Sequence, residues 1–134
     1  MARIHTDILV LGSGIAGLTF AIKAAKASPK ILVLTKTNEG ESNTRYAQGG
    51  VAAVWDHETD TFDKHVADTL DAGDGLCDPG IVEIVVQEGP ERVQEIIDWG
   101  ARFDKEKDSE NYELAREGGH SDKRILHDKD LTGW

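Results

Sequence analysis

The order of apolar and polar positions predicts a strand, a helix and a second strand near the start of the chain. Residues 5–11 form an apolar run rich in branched side chains that ends at glycine, which is typical of a parallel strand buried on both faces. Helical spacing of small and apolar residues predicts a helix over 15–27, stopped by Pro29. Residues 30–34 repeat the pattern of a short buried strand. This order indicates a βαβ unit.

The rest of the chain does not complete a parallel sheet. Residues 35–50 have no periodicity and predict a loop, and residues 51–55 predict a strand or an extended segment. Residues 125–127 predict the start of a further strand, with no third parallel strand completed. Because two parallel strands cannot cover their own apolar faces, the pattern indicates an α/β fold of Rossmann type, of which residues 1–134 are only the N-terminal part.

Two more helices are predicted between these segments. One runs over 61–72, with apolar residues at four-residue spacing. The other begins after Asp78, because an aspartate followed by proline is a typical helix N-terminus. Pro90 is expected to break or kink this second helix, and Gly100 is expected to end it.

Composition and cysteine content narrow the class of protein. The 134 residues are 39% hydrophobic and 30% charged, a balance typical of a globular domain. No apolar run approaches the ~20 residues that span a bilayer, and the N-terminus lacks a secretory pattern, so a cytoplasmic protein without a membrane partner is expected. The single cysteine, Cys77, excludes an internal disulfide framework, and the histidines lack metal-site spacing, so no metal is expected.

Charge is distributed unevenly along the chain. Residues 1–55 contain six Lys/Arg and three Asp/Glu, whereas residues 56–134 contain nine and 22. The acidic part argues against a nucleic-acid partner, because phosphates would be repelled. The mildly basic part could receive a small anionic ligand. Most of the carboxylates are interpreted as a solvated surface.

The strongest chemical signal is the glycine motif between the first strand and the first helix. In a βαβ unit this spacing favours a dinucleotide site over a glycine-rich turn without a ligand. Gly12 permits the tight turn, Gly14 lets the backbone approach a pyrophosphate, and Gly17 lets helix and strand pack closely. The amides of Ile15 and Ala16 are expected to point at the phosphates, with the positive end of the helix dipole behind them.

The end of the second predicted strand departs from the usual motif. An acidic residue is expected there to bind a ribose hydroxyl, but the chain has Thr35 and Lys36, and its first acids come later, at Glu39 and Glu41. Lys36 could meet a 2′-phosphate, could contact a ribose or pyrophosphate in another geometry, or could be a solvent-exposed lysine. Spacing alone leaves these alternatives open.

The loop and a later glycine turn carry a resemblance to a known family. Residues 43–50 read Asn-Thr-Arg-Tyr-Ala-Gln-Gly-Gly and are similar to the flavin-contacting segment of the succinate dehydrogenase/fumarate reductase flavoprotein superfamily. Together with the glycine motif, Lys36 and Arg-Glu-Gly-Gly-His-Ser at 116–121, they resemble its L-aspartate-oxidising branch. The resemblance runs from about Asp7 to Gly133, and in this superfamily a lysine after the second strand is normal.

The resemblance implies FAD bound without a covalent link. In the dehydrogenase and reductase members a histidine carries the flavin five residues before the glutamine of Gln-Gly-Gly, and this chain has Asn43 at that position. The amides of residues 42–50 would stabilise negative charge on the reduced flavin ring. The expected cofactor-binding positions are Gly12, Ser13, Gly14, Ile15, Ala16, Gly17, Lys36, Asn43, Thr44, Arg45, Tyr46, Ala47, Gln48, Gly49 and Gly50.

One substrate-binding residue is also implied by the resemblance. Glu117, which precedes two glycines, would accept hydrogen bonds from the α-ammonium group of L-aspartate, a group that succinate lacks. From the residues alone, Glu117 could equally be a solvated loop acid. No catalytic residue is expected within this chain. His65 lies in an acidic stretch that is interpreted as surface, and neither it nor His120 is given a catalytic role.

The implied reaction is the FAD-dependent oxidation of L-aspartate to iminoaspartate, with oxygen or fumarate as electron acceptor and iminoaspartate passing to quinolinate synthase in NAD biosynthesis. The remaining FAD-binding segments, a capping domain and a C-terminal helical domain would lie outside this chain, so the chain alone is expected to be inactive. Two alternatives stay open. They are a fumarate reductase-like flavoprotein with non-covalent FAD, and a non-catalytic nucleotide-binding module.

Overall fold

The structure, a computed structural model, describes residues 3–27, 30–36, 38 and 40–129. The chain divides into two compact units, of which the first contains the residues up to Ala47 and the second begins at Gln48. In chain order the elements are β1 (Ile8–Leu11), α1 (Ile15–Ala24), β2 (Ile31–Leu34), β3 (Val51–Ala52), α2 (Phe62–Ala72), α3 (Pro79–Asp98) and β4 (Ile125–Leu126).

The first unit is the predicted βαβ arrangement. Strands β1 and β2 pair in parallel, with Ile8 opposite Ile31 and Leu11 opposite Leu34, and α1 packs against both strands. The helix ends at Ala24, three residues earlier than predicted, because residues 25–27 tighten into a turn in which the Ala27 amide donates to the Ala24 carbonyl. The predicted stop at Pro29 lies outside the described residues.

The strands of the first unit are not covered on both faces, contrary to the prediction. Val10 is buried, but 53% of Leu9 and 73% of Leu11 are exposed. Among the described residues of this unit α1 is the single helix, and one helix cannot cover two faces of a sheet. The apolar pattern of β1 therefore correctly predicts a strand but not its burial within residues 1–134.

The second unit contains a separate small sheet and two helices that pack on each other. Strand β4 pairs antiparallel with β3, with Val51 opposite Leu126, so the segment predicted as the start of another strand does not continue the parallel sheet. Ala53, Val93 and Leu126 form the buried core, and Trp55 and Phe103 are among the side chains packed against it.

The two helices of the second unit begin where the sequence predicts. The Thr61 hydroxyl accepts a hydrogen bond from the Lys64 amide at the start of α2, and the Asp78 carboxylate accepts one from the Ile81 amide at the start of α3. Of the two outcomes predicted at Pro90, the break is wrong, because α3 runs through it without interruption, and the kink stays a prediction.

Proline removes only one helical donor, and the buried side chains of Val86 and Val93 anchor α3 on both sides of Pro90. The helix ends at Asp98 and is followed by Gly100, whose φ of +108° is a conformation that favours glycine. None of the described helices combines the length and the apolarity needed to cross a membrane.

Candidate functional site

The glycine motif forms the turn between β1 and α1. Gly12 has a φ of +104°, and its amide donates to the Leu34 carbonyl over 2.8 Å, which joins the turn to the end of β2. A Cβ atom at Gly17 would collide with the carbonyl oxygen of Gly12. The absence of a side chain at position 17 therefore lets α1 approach the turn closely, the role that the sequence predicts for it.

Gly14 differs from Gly17 in what surrounds it. It is the N-cap residue of α1, forms no side-chain cap, and no acidic side chain lies in the first helical turn. Among the described residues, a Cβ atom built at Gly14 would meet only the Thr44 hydroxyl oxygen within 4 Å, at 3.4 Å. The glycine therefore leaves open space at a helix N-terminus, where the local dipole favours an anion. These features fit the pyrophosphate of a dinucleotide.

Thr44 lies against the same helix N-terminus. Its hydroxyl oxygen accepts a hydrogen bond from the Ile15 amide over 3.1 Å. Two predicted cofactor-binding positions that are 29 residues apart are thus in direct contact. Because the Ile15 amide is engaged, the Ala16 amide is the remaining predicted phosphate donor in the first turn.

Ser13 and Lys36 lie at the carboxyl ends of the two strands. Ser13 is buried, and its hydroxyl donates to the Thr35 hydroxyl over 3.2 Å. Lys36 follows directly and is exposed. The Ser13–Thr35 bond joins the segments that follow β1 and β2, and none of the three interpretations of Lys36 is excluded by this geometry.

The remaining cofactor-binding positions of the first unit lie on a turn-rich loop. Asn43 and Ala47 are exposed, and the amide side chain of Asn43 has no nucleophile for a flavin bond. The Tyr46 hydroxyl donates to a Glu41 oxygen over 2.8 Å, and this hydrogen bond raises the pKa of Tyr46. Arg45 is half-buried, and its guanidinium occupies the space next to Gly40.

In the second unit, Gln48 is exposed and the two glycines after it have different neighbours. Gly49 has a φ of +82°, and a Cβ atom there would lie 3.6 Å from both carboxylate oxygens of Glu117. A Cβ atom at Gly50 would collide with Ile125 and with the Leu126 carbonyl. Gly50 thus permits close packing on β4, whereas Gly49 lies beside the predicted substrate-binding carboxylate.

The second unit also contains a buried group of charges that the sequence analysis missed. Arg124 is fully buried, and its Nε and Nη2 atoms donate to the two oxygens of the buried Asp60, each over 2.7 Å. Its Nη1 atom donates to Asp68 over 2.6 Å. Asp60 and Arg124 are 64 residues apart, and each looks like an ordinary surface charge in the sequence, so no local pattern could have identified the pair.

The interpretation of His65 as a surface residue is wrong. Only 7% of the side chain is exposed, its Nδ1 atom is buried, and the ring lies 5.7 Å from the ring of His120. Burial lowers the pKa of His65, and the nearby Arg124 contributes in the same direction. Asp60 and Asp68 make the sequence around position 65 acidic, which suggested an exposed surface. In the structure both side chains point inward and accept hydrogen bonds from Arg124.

Asp68 is ionised over a wider pH range than an ordinary aspartate. Partial burial raises the pKa of its carboxyl group, but hydrogen bonds from the Ser121 amide, Arg124 and the Ser121 hydroxyl outweigh this effect and lower the pKa to about 2. The Ser121 bonds measure 2.8 Å and 2.9 Å. Asp68 therefore connects α2 to the segment that follows Glu117.

Comparison with known proteins places this geometry in a family context. A family model described as an FAD binding domain matches residues 7–132. The L-aspartate oxidase of Vibrio cholerae is 51% identical over 131 residues, which cover 95% of this chain and 24% of that protein. The chloroplastic L-aspartate oxidase of Arabidopsis thaliana is 50% identical over 129 residues, which cover 96% and 19%. The chain thus spans about a fifth to a quarter of the length of these curated relatives.

Solved structures agree with the predicted fold class. Sdh1 of Mycobacterium smegmatis superposes with a TM-score of 0.88 at 35% identity, covering 99% of this chain and 22% of that chain. The E. coli quinol fumarate reductase superposes with a TM-score of 0.87 at 35% identity, covering 99% and 23%. These matches confirm the α/β fold and the superfamily resemblance.

Proposed function

The chain belongs to the family of FAD binding domains, and from this premise we propose that it is the N-terminal part of a longer flavoprotein that oxidises L-aspartate to iminoaspartate. The observation that carries this proposal is the position of the Glu117 carboxylate against Gly49, because it places an anionic group beside the segment that resembles the flavin-contacting segment of the superfamily. The 51% identity to an L-aspartate oxidase supports the same conclusion.

The first unit would hold the pyrophosphate of FAD. The open space at Gly14 admits the phosphates, and the Ala16 amide donates to them at the positive end of α1. The Thr44 hydroxyl orders the loop against this helix end by accepting the Ile15 amide. Lys36, exposed after β2, would interact with the anionic or ribose portion of the same cofactor. Asn43 makes the attachment non-covalent.

The second unit would bind the amino group of the substrate. FAD, when bound, supplies the acceptor for the hydride that leaves the substrate Cα atom. Glu117 would accept hydrogen bonds from the α-ammonium group, and these charge-assisted bonds orient the Cα–H bond. A dicarboxylate without an amino group gains nothing from Glu117 and brings its own negative charge. Glu117 is thus a selectivity element for amino acids.

The acceptor and the cellular context are part of this proposal. Oxygen or fumarate would accept the electrons, and iminoaspartate would pass to quinolinate synthase in NAD biosynthesis. A cytoplasmic location remains a prediction, since the relatives include proteins named as chloroplastic. A fumarate reductase-like flavoprotein is the second candidate, supported by the similarity to the E. coli enzyme. That candidate requires fumarate reduction without oxidation of L-aspartate.

The test is Glu117→Gln in the longer protein loaded with FAD. A charge-assisted hydrogen bond contributes about 1.5–3 kcal/mol, so kcat/KM for L-aspartate should fall by about one to two orders of magnitude. Fumarate reduction should change much less, because fumarate has no ammonium group. The matched control is Glu113→Gln, which neutralises an exposed carboxylate four residues earlier. Equal loss of both activities, or an unchanged aspartate rate, would contradict the role of Glu117.

A further inference from the structure

The glycine turn that carries Glu117 begins two residues after Ala115, which pairs with Ile125 in an antiparallel bridge. Residues 117–121, here called the Glu117 turn, contain two consecutive glycines, and Gly119 has a φ of +83°. The turn is closed by a hydrogen bond of 3.3 Å from the His120 amide to the Glu117 carbonyl. Two glycines leave the backbone a wide choice of conformations. The pairing of Ala115 fixes the chain before the turn, and contacts at the C-terminal end restrict the two glycines further.

Those contacts come from the buried charges. The amide and hydroxyl of Ser121 both donate to Asp68, and the same Asp68 oxygen accepts from Arg124. The Nη1 atom of Arg124 also lies 3.2 Å from the Nδ1 atom of His120. Arg124 thus connects Asp68 of α2, and Asp60 just before that helix, with the last two residues of the turn. A fixed planar fork of donors is needed to reach all of these acceptors at once.

The contact with Arg124 favours one tautomer of the His120 ring. A guanidinium only donates hydrogen bonds, so Nδ1 of His120 must accept and carries no proton. In the neutral ring this contact leaves the proton on Nε2. A cationic imidazolium at this distance would face the Arg124 charge with two donors and no acceptor. The geometry thus assigns one tautomer out of two.

Stability alone does not account for a buried ion group of this kind. Removing charges from water costs about as much as their attraction returns, and such groups are often replaceable by apolar side chains without loss. What the group provides is a single arrangement of the elements that it joins. Here those elements are α2 and the Glu117 turn.

We propose that Arg124 is a positioning residue for substrate binding, because it holds His120 as an acceptor at Nδ1 and holds Asp68 toward Ser121, and thereby keeps the Glu117 carboxylate beside Gly49. The inference rests on the proposed function, since it concerns the same site. It adds a determinant of amino-acid selectivity that acts through the turn and does not touch the substrate.

The test uses Arg124→Lys in the longer protein loaded with FAD. Lysine keeps the charge but cannot reach three partners, so KM for L-aspartate should rise about tenfold, with a smaller change in kcat and an unchanged flavin content. KM for fumarate should stay within about twofold. In the Glu117→Gln background the same substitution should raise KM for L-aspartate by less than about twofold, because the group through which Arg124 acts is already neutral. The control is Arg92→Lys, at an exposed arginine bound to Glu88.

A second pair of variants covers the case in which Arg124→Lys fails to fold. In His120→Asn the side-chain oxygen replaces Nδ1 as acceptor, so KM for L-aspartate should remain close to that of the unsubstituted protein. His120→Leu should reproduce the tenfold rise. Equal effects of the two His120 variants, or a rise in KM for both substrates, would overturn the proposal.

Nuclear magnetic resonance of labelled histidine provides a readout that is independent of activity. His120 should carry its proton on Nε2 and none on Nδ1 at neutral pH, and a protonated Nδ1 would overturn the proposal. If Glu117→Gln leaves the aspartate rate unchanged while His120 shows this tautomer, the proposed function of Glu117 is wrong and the assignment of the Arg124 contact stands.

Discussion

The ligand sites proposed for the two units depend on opposite kinds of residue. In the first unit the important residues are glycines, since Gly14 leaves open space at a helix N-terminus and Gly17 lets the helix approach the turn. The second unit works through buried charges, since Arg124 joins Asp60, Asp68 and the Glu117 turn. A glycine motif is short and local, whereas the charges come together from positions up to 64 residues apart.

This difference determines how each unit responds to substitution. A ligand site formed by backbone atoms tolerates substitutions that leave its open space free. It loses its ligand when a side chain fills that space. A buried ion group fails when one partner is removed, because the other charge is left without compensation.

The largest effect is expected at the buried ion pair. Asp60→Asn should lower the free energy of local unfolding of α2 by about 3–5 kcal/mol, because the buried Arg124 charge loses its two-bond partner. The measurement is native-state hydrogen exchange of the α2 amides in the longer protein. As control, Glu88→Gln breaks the exposed pair with Arg92 and should produce no measurable change. Similar losses in the two variants would contradict the contrast between buried and exposed pairs.

The glycine motif provides the next test. Gly17→Ala should destabilise α1 by about 1–3 kcal/mol, because its Cβ atom meets the Gly12 carbonyl and must push the helix away. Gly14→Ala should disturb α1 exchange much less than Gly17→Ala, because the space is open, but should reduce FAD affinity by about tenfold or more, since the methyl group would occupy the proposed phosphate position.

Flavin content after gentle purification and α1 hydrogen exchange separate the two glycines. Full flavin retention in Gly14→Ala would mean that the pyrophosphate does not approach this residue. A loss of α1 protection equal to that in Gly17→Ala would show that Gly14 is also a packing residue and not an open cradle.

The smallest predicted effect is a pH dependence that comes from Asp68. Its pKa is lowered to about 2 in the folded chain from an ordinary value of 3.8, so its contribution to stability is fully present above about pH 4 and is lost as the pH falls toward 2. Asp68→Asn should therefore lower the stability of the second unit at neutral pH and flatten its pH dependence between about 4 and 2. If the pH dependence of stability between about pH 4 and 2 is unchanged in Asp68→Asn, it comes from other carboxylates and the prediction is wrong.

The sequence predicted the elements that depend on local chemistry. The cap at Asp78 and the glycine motif are set by residues within one helical turn, and the structure has them where the pattern indicates. The break predicted at Pro90 took account of the lost helical donor but not of the buried valines on both sides of the proline, which hold the helix together. That packing is tertiary information.

The candidate site was predicted from the sequence only in part. Glu117 and Gly49 are 68 residues apart in the sequence and become neighbours only in the folded chain. The family resemblance, and not the pattern of residues, drew attention to them. Arg124 and His65 carried no signal at all. A buried charge becomes recognisable only when its partners are known, because alone it is indistinguishable from a solvated one.

The most direct test of the central claim is the reduction of bound flavin by L-aspartate. The longer protein, loaded with FAD and kept free of oxygen, is mixed with L-aspartate or with succinate, and the visible absorbance of the flavin is followed. We expect L-aspartate to bleach this absorbance and succinate to leave it nearly unchanged, because only the amino acid has an ammonium group for Glu117. Bleaching by succinate with no response to L-aspartate would contradict the account.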